Sequence, residues 1–199
     1  MNIYGASGHA KVIIDIARSK ELSIDLIFDD NTDVNFLDDS VVVHEVSEMM
    51  KKSKTVIAIG NNTIRKNVAE NFTGNIIDAI SHSSAVLSST SKIGKGTVVM
   101  PNACVNAATT IGEHCILNTG STVDHDCALE DFVHISPNAA IAGNVIIGTG
   151  THIGIGAVVI PGIIIGKWVT VGAGAVIINN IPDFAVVVGN PGKIIKYSK

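Results

Sequence analysis

His125 is flanked by Asp124 and Asp126 in the stretch Ser121-Thr122-Val123-Asp124-His125-Asp126-Cys127. An imidazole with a carboxylate on one ring nitrogen gains basicity and can take a proton from an attacking group on the other, so general-base chemistry is one reading. A solvated surface histidine is the other. Two further histidines, His134 and His152, lie eighteen residues apart. Near the N-terminus stand three polar clusters: Ser7-Gly8-His9, Asp29-Asp30, and Gly60-Asn61-Asn62 with Arg65. Such groups bind phosphates and sugar hydroxyls, but Gly, Asn and Asp are also ordinary turn residues.

The elements that must carry the N-terminal clusters alternate in type. Asn2 to Tyr4 reads as a strand, and Gly5-Ala6-Ser7-Gly8-His9-Ala10 as a turn opening a helix with Val12, Ile13, Ile16 and Ala17 on one side. Leu26 to Phe28 is a second strand and ends at Asp29-Asp30. Val41 to Val43 and Thr55 to Ile59 supply further strands, and Thr63 to Phe72 a helix with an Asn cap. Alternating strands and helices predict a small parallel α/β sheet, Rossmann-like, whose ligands bind beyond the carboxyl ends of the strands. All three clusters fall at that edge, which predicts a nucleotide or nucleotide-sugar pocket. The turn is not G-x-G-x-x-G, and one half of a dinucleotide fold would hold at most one nucleotide.

A different order governs the rest. From Ile93 to Ile177 an aliphatic residue returns at every sixth position, and Leu87 extends the series backwards. Two positions before it stands a small or β-branched residue such as Thr97, Ala103, Cys115 or Ala157, so each hexad offers an inward pair on a short strand. Glycine often follows the aliphatic, at 94, 112, 148, 154, 166 and 172, where a sharp turn is expected. Short strands and turns with no helix between them predict a parallel β-helix. On that pattern His125 falls on a turn, and Cys115 and Cys127 lie in the core.

Composition narrows the function. With 199 residues and 46% hydrophobic content the chain can bury a core, and most of its 18 acidic residues fall before position 131, consistent with two parts. A net charge of -4, with only 14 Lys+Arg and no basic run, argues against a nucleic-acid partner. Residues 157–178 are apolar, but Pro161, Gly162, Gly166, Lys167, Gly172 and Gly174 interrupt them and the hexad continues through, so no membrane span is expected. The N-terminus lacks the features of a secretory signal, and three cysteines suit a reducing compartment, so a cytoplasmic location is expected.

The hexads resemble those of the hexapeptide-repeat acyltransferases, in which three hexads make one triangular coil of a left-handed parallel β-helix; positions eighteen apart would then stack, which places His134 over His152 on an outward face. GASGHA, the Asp29-Asp30 pair, AIGNNTIRK, Met100-Pro101, ILNTGSTVDHD and the Phe132 to Ser136 segment resemble the bacillosamine-type sugar N-acetyltransferases, relatives of sialic acid O-acetyltransferases. The resemblance covers nearly the whole chain. It implies a sugar-nucleotide domain over 1–80 and an acetyltransferase domain with a C-terminal cap over 81–199. It implies acetyl-CoA as co-substrate, no metal, and a UDP-linked 4-amino-dideoxy sugar as acceptor, bound by Ser7, Gly8, His9, Asp29, Asp30, Gly60, Asn61 and Arg65. His125 would be the base, with Asp126 as supporting carboxylate and Asp124 as its competitor. His134 would meet the thioester, and Gly143, Ile155 and Ala173 the pantetheine arm. The assembly implied is a homotrimer with each site between two chains.

Other readings remain open on sequence alone. They are O-acetylation of sialic acid, N-acetylation of a dTDP-linked amino sugar, a zinc hydratase of the same fold using His125, His134 and His152, and a non-catalytic sensor.

Overall fold

A computed structural model describes residues 1–45 and 48–198. The N-terminal unit comprises β1 (Asn2–Tyr4), α1 (Gly8–Ser19), β2 (Leu26–Phe28), β3 (Phe36–Leu37), β4 (Ser40–Val43), α2 (Glu48–Lys52), β5 (Thr55–Ile57) and α3 (Asn62–Asn71). The sheet order is β3-β4-β2-β1-β5, parallel except for the β3–β4 hairpin. After β1 the chain turns at Gly5, which adopts φ 109°. A Cβ there would stand 2.9 Å from the Ala58 carbonyl oxygen, so only glycine fits. Helix α1 buries Ala10, Ile13, Ile14, Ile16 and Ala17 against the sheet and leaves Lys11, Asp15 and Arg18 outward. Asn61 caps α3 by accepting from the Ile64 N–H at 3.0 Å. The sequence reading did not include β3 or α2, because two and five residues carry too little periodicity to show.

From Ile80 the chain winds into a left-handed parallel β-helix of two-residue strands. Its first face runs from Ile80–Ser81 through Ile116–Leu117, His134–Ile135 and His152–Ile153 to Thr170–Val171, and continues into a C-terminal hairpin of Ala185–Val188 and Lys193–Tyr197. The second face holds Val86–Leu87, Thr122–Val123 and Val158–Val159, and the third holds Lys92–Ile93, Ala128–Leu129 and Ile164–Ile165. Strand partners such as Thr122 and Ala140, or His134 and His152, are eighteen residues apart. The aliphatic of each hexad and the residue two before it form one continuous core from Val99 to Val187. Buried threonines in that core staple successive coils. Thr109 donates to the Asp124 carbonyl at 2.6 Å and accepts from the Cys127 N–H at 3.1 Å, so its hydroxyl is satisfied.

The hexad glycines differ in role from the expectation. The left-handed turn residue lies three positions past the aliphatic, and it is often not glycine: Asn102, Ala108, His114, Asp126, Phe132, Asn138 and Trp168 all hold φ between 53° and 61°. The glycine just after the aliphatic instead permits close stacking of coils. A Cβ on Gly94 would lie 2.6 Å from the Gly112 carbonyl carbon.

The α/β unit covers the upper part of the first face. Ile3, Ala10 and Ile13 share a core cluster with Val98, Met100 and Ile116. The second and third faces keep exposed aliphatics, among them Ile146, Val158 and Ile164. Among the described residues no helix is long and apolar enough to cross a membrane.

Candidate active site

The corner between the second and third faces carries Asp124, His125 and Asp126. Asp126 takes the left-handed turn position at φ 57°, and its Oδ2 lies 2.8 Å from His125 Nδ1. A carboxylate at that distance holds the proton on Nδ1 and leaves the Nε2 lone pair free on an exposed edge. The hydrogen bond to Asp126, followed by the charge of Asp124, raises the imidazole above the usual histidine value. Asp124 is engaged elsewhere: its Oδ1 accepts from Asn106 Nδ2 and from the His125 backbone N–H, both at 2.8 Å. One coil below, Gly143 forms a shelf for the ring. A Cβ there would lie 2.6 Å from Cε1 and 2.8 Å from Nε2.

Neither core cysteine can serve as an acyl carrier. Cys115 and Cys127 are buried, and their thiols lie 3.2 Å from the Glu130 and Ala142 carbonyls respectively. Burial pushes Cys115 up to about 12 and raises Cys127 as well, so neither forms a thiolate readily.

His134 and His152 stack as their spacing predicts, with ring centroids 4.7 Å apart and planes 13° from parallel. They face outward from the prism, yet they are largely shielded, because the α/β unit lies over them. His134 Nε2 lies 3.1 Å from Asn118 Nδ2, and the Gly60 carbonyl faces its other side. His152 Nε2 lies 2.7 Å from Ser136 Oγ. Burial, followed by the charges of His152, Arg65 and His9, pushes His134 down to about 3. His125 sits at the corner between the second and third faces, whereas His134 and His152 are strand residues of the first face, so the three histidines do not converge within one chain. Among the described residues no group of three or more His, Cys, Asp or Glu is placed to hold a metal ion.

At the carboxyl edge of the sheet, a cleft of about 280 Å³ brings together Ser7, Asp29, Asp30, Gly60 and Asn61, with Tyr4 and Gly5. Ser7 precedes α1 without spending its hydroxyl on a cap. Asp29 braces the glycine turn, its two oxygens accepting from the Ala6 N–H at 2.6 Å and the Asn31 N–H at 2.9 Å. Gly8 opens to solvent outside the cleft lining. His9 points toward the solenoid, where burial and then the charge of Arg65 push it down to about 4.

Arg65 departs furthest from expectation. It is 1% exposed, and its guanidinium donates to the carbonyls of Ile59, Gly60, His114 and Phe132 and to Asn62 Oδ1. All five N–H donors are used within the protein, so Arg65 clamps the α/β unit to the solenoid rather than offering a donor to a ligand.

A larger cleft of about 710 Å³ meets the first at Gly60 and Asn61 and runs down the first face past His134, His152, Lys66 and Trp168. Sequence reasoning missed Lys66 and Trp168. Trp168 is the single tryptophan, which was the available signal; its left-handed backbone at φ 54°, costly for so bulky a residue, shows only in the structure.

The four residues expected along the acyl donor are divided between corners. Gly143 lies under His125, His134 is a strand residue of the first face, and Ile155 and Ala173 are exposed at the corner between the first and second faces. A face of six residues at about 3.3 Å each separates neighbouring corners by roughly 15–20 Å. One chain alone does not gather them.

Residues 1–72 match the PglD N-terminal domain family, and residues 90–125 match the bacterial transferase hexapeptide (six repeats) family. The chain is 36% identical to PerB from Caulobacter crescentus, solved in complex with CoA and GDP-perosamine; the match covers 98% of this chain and 96% of that one, with a TM-score of 0.91. It is 37% identical to the acetyltransferase domain of PglB from Neisseria gonorrhoeae in complex with acetyl coenzyme A, covering 98% of each chain with a TM-score of 0.90. Among curated sequences it is 34% identical over 93 residues to the GDP-perosamine N-acetyltransferase of Escherichia coli O157:H7. That match spans 46% of this chain and 42% of the relative, so the aligned part is less than half of that protein's length. With near-complete coverage at more than a third identity, the chain belongs to the hexapeptide-repeat sugar N-acyltransferase family.

Proposed function

We propose that this protein transfers the acetyl group of acetyl-CoA directly to the 4-amino group of a nucleotide-linked 4-amino-dideoxy sugar. The observation that carries the reading is the His125 ring, held by Asp126 through Nδ1 with Nε2 free on an exposed edge. Nε2 removes a proton as the amine adds to the thioester carbonyl. The tetrahedral adduct collapses with loss of the CoA thiolate, which takes the proton back from the imidazolium. The thioester is already activated, so no acyl-enzyme is needed, and Cys115 and Cys127 are buried.

The acceptor would enter the cleft at Ser7, Asp30, Gly60 and Asn61 in the domain over 1–80. Asp29 acts there by fixing the turn. The domain over 81–199 would bind acetyl-CoA through Gly143 at one corner, His134 on the first face, and Ile155 and Ala173 at the corner that follows it. Because those corners lie apart in a single chain, the site is built between neighbouring chains of a homotrimer. The exposed aliphatics of the second and third faces supply surface for that assembly.

For the nucleotide, the likeness to bacillosamine-type enzymes favours UDP, whereas the solved relative with bound GDP-perosamine favours GDP. Thiol release from acetyl-CoA in the presence of UDP-, GDP-, dTDP- and CMP-linked amino sugars separates the two. Release with a UDP- or GDP-linked 4-amino sugar, together with its loss in His125→Asn, is expected. No release with any nucleotide-linked amino sugar would sink the proposal.

A further inference from the structure

We propose that Asn106 is a positioning residue for His125: its amide tethers Asp124 along the prism edge, so that Asp126 is the only carboxylate bonded to the imidazole. The inference deepens the assignment of His125 as base and rests on that assignment.

Two carboxylates flank the ring, and each is long enough to reach it. What separates their roles is a contact from the preceding coil. Asn106 stacks over Asp124, and its Nδ2 donates to Asp124 Oδ1 at 2.8 Å, the same oxygen that accepts the His125 backbone N–H. The amide is itself oriented, because Asn106 Oδ1 lies 3.5 Å from Cys104 Sγ and accepts its weak donor. Asp124 is thereby turned toward the coil above, while the left-handed backbone of Asp126 aims the other carboxylate at Nδ1.

A single partner on Nδ1 fixes both the tautomer and the plane of the ring. A second carboxylate free to approach would compete for the ring, hold the imidazolium more tightly and turn Nε2 away from the amine. The neighbourhood is simple enough for this to be read directly. Within this chain the titratable groups facing His125 are Asp124, Asp126 and, pointing inward, Cys127. The coil above contributes Asn106, Ala107, Ala108 and Thr109, and the coil below Ala142, Gly143, Asn144 and Val145, none of which titrates. Asp124 already raises the imidazole through space, second to the Asp126 hydrogen bond, so its release would be felt.

The test is a proton NMR titration of His125, identified by the resonance missing in His125→Asn. Asn106→Ala should raise the His125 pKa by about half a unit, the size expected when one exposed carboxylate moves into contact. It should also lower kcat severalfold, with the KM for acetyl-CoA within about twofold. The double variant Asn106→Ala/Asp124→Asn should return the pKa to the parent value or below, since no second carboxylate remains to be released. A pKa unmoved in Asn106→Ala, or still raised in the double variant, overturns the assignment. Should Asn106→Ala not fold, Asp126→Asn must lower the His125 pKa more than Asp124→Asn does, and the reverse order overturns it equally. The titration reads the ring whether or not it is the base. The base assignment fails by a different sign, turnover surviving in His125→Asn.

Discussion

Replacing Gly143 by alanine tests the geometry of the catalytic corner with a single methyl group. The new Cβ would stand 2.6 Å from His125 Cε1 and 2.8 Å from Nε2, against about 3.5–4 Å for an ordinary carbon contact. One of the two must move by roughly 1 Å. Backbone stacking holds position 143, whose carbonyl accepts the Gly162 N–H at 3.0 Å, whereas the His125 side chain is 54% exposed and can swing outward. The fold should therefore tolerate the change, with a Tm within about 2 °C of the parent. The displaced ring would leave Asp126 and the line of attack, and a 1 Å error in a reacting group costs about 100-fold in rate. Measured by thiol release, kcat should fall about 100-fold, with the KM for acetyl-CoA within about twofold. A kcat within threefold of the parent would refute the shelf. A raised KM with kcat unchanged would show instead that Gly143 acts only on the acyl donor.

Three further outcomes follow from the same geometry. Arg65→Met removes five hydrogen bonds and strands buried carbonyls of Ile59, His114 and Phe132, so urea unfolding should show a loss of about 3 kcal/mol or more. Folding lowers His134 to about 3 and His9 to about 4 from 6.5, so the folded protein binds fewer protons than the unfolded chain below pH 6.5. Stability is then full above pH 6.5 and lost as pH falls toward 4, by about 2.5 kcal/mol for each histidine at pH 4.5; unfolding free energies equal at pH 7.5 and 4.5 would contradict this. The acid limb of kcat/KM should report a group above pH 6.5, because Asp126 raises His125, and Asp126→Asn should move that limb to lower pH while reducing kcat.

The solenoid was legible because every coil must present an aliphatic to the same core, and that requirement writes itself into the sequence at a fixed period. The same period put His125 on a turn and turned Cys115 and Cys127 inward, while the stacking of His134 on His152 needed the three-hexad coil that the family resemblance implied. It misplaced the role of the hexad glycines, since a close approach between coils and a left-handed turn leave the same residue in a sequence. Covering of His134 by the α/β unit was not legible, because Gly60, Asn118 and His134 meet only after the chain has doubled back. Arg65 misled for the same reason: a cation in the first turn of a helix reads as a ligand group, and its partners His114 and Phe132 lie far along the chain. The choice between Asp124 and Asp126 depended on Asn106, a residue one coil away with no catalytic appearance of its own.

The central claim is a site that joins His125 of one chain to the acceptor cleft of another. Mixed oligomers of two inactive variants test it most directly. His125→Asn lacks the base, and Gly60→Leu places a side chain in the cleft where a Cβ meets nothing within 4 Å. Co-refolded in equal amounts, random pairing leaves about one interface in four with both an intact base and an intact cleft, so thiol release should recover to roughly a quarter of the parent rate. Mixtures as inactive as their components would place base and cleft in the same chain and contradict the account.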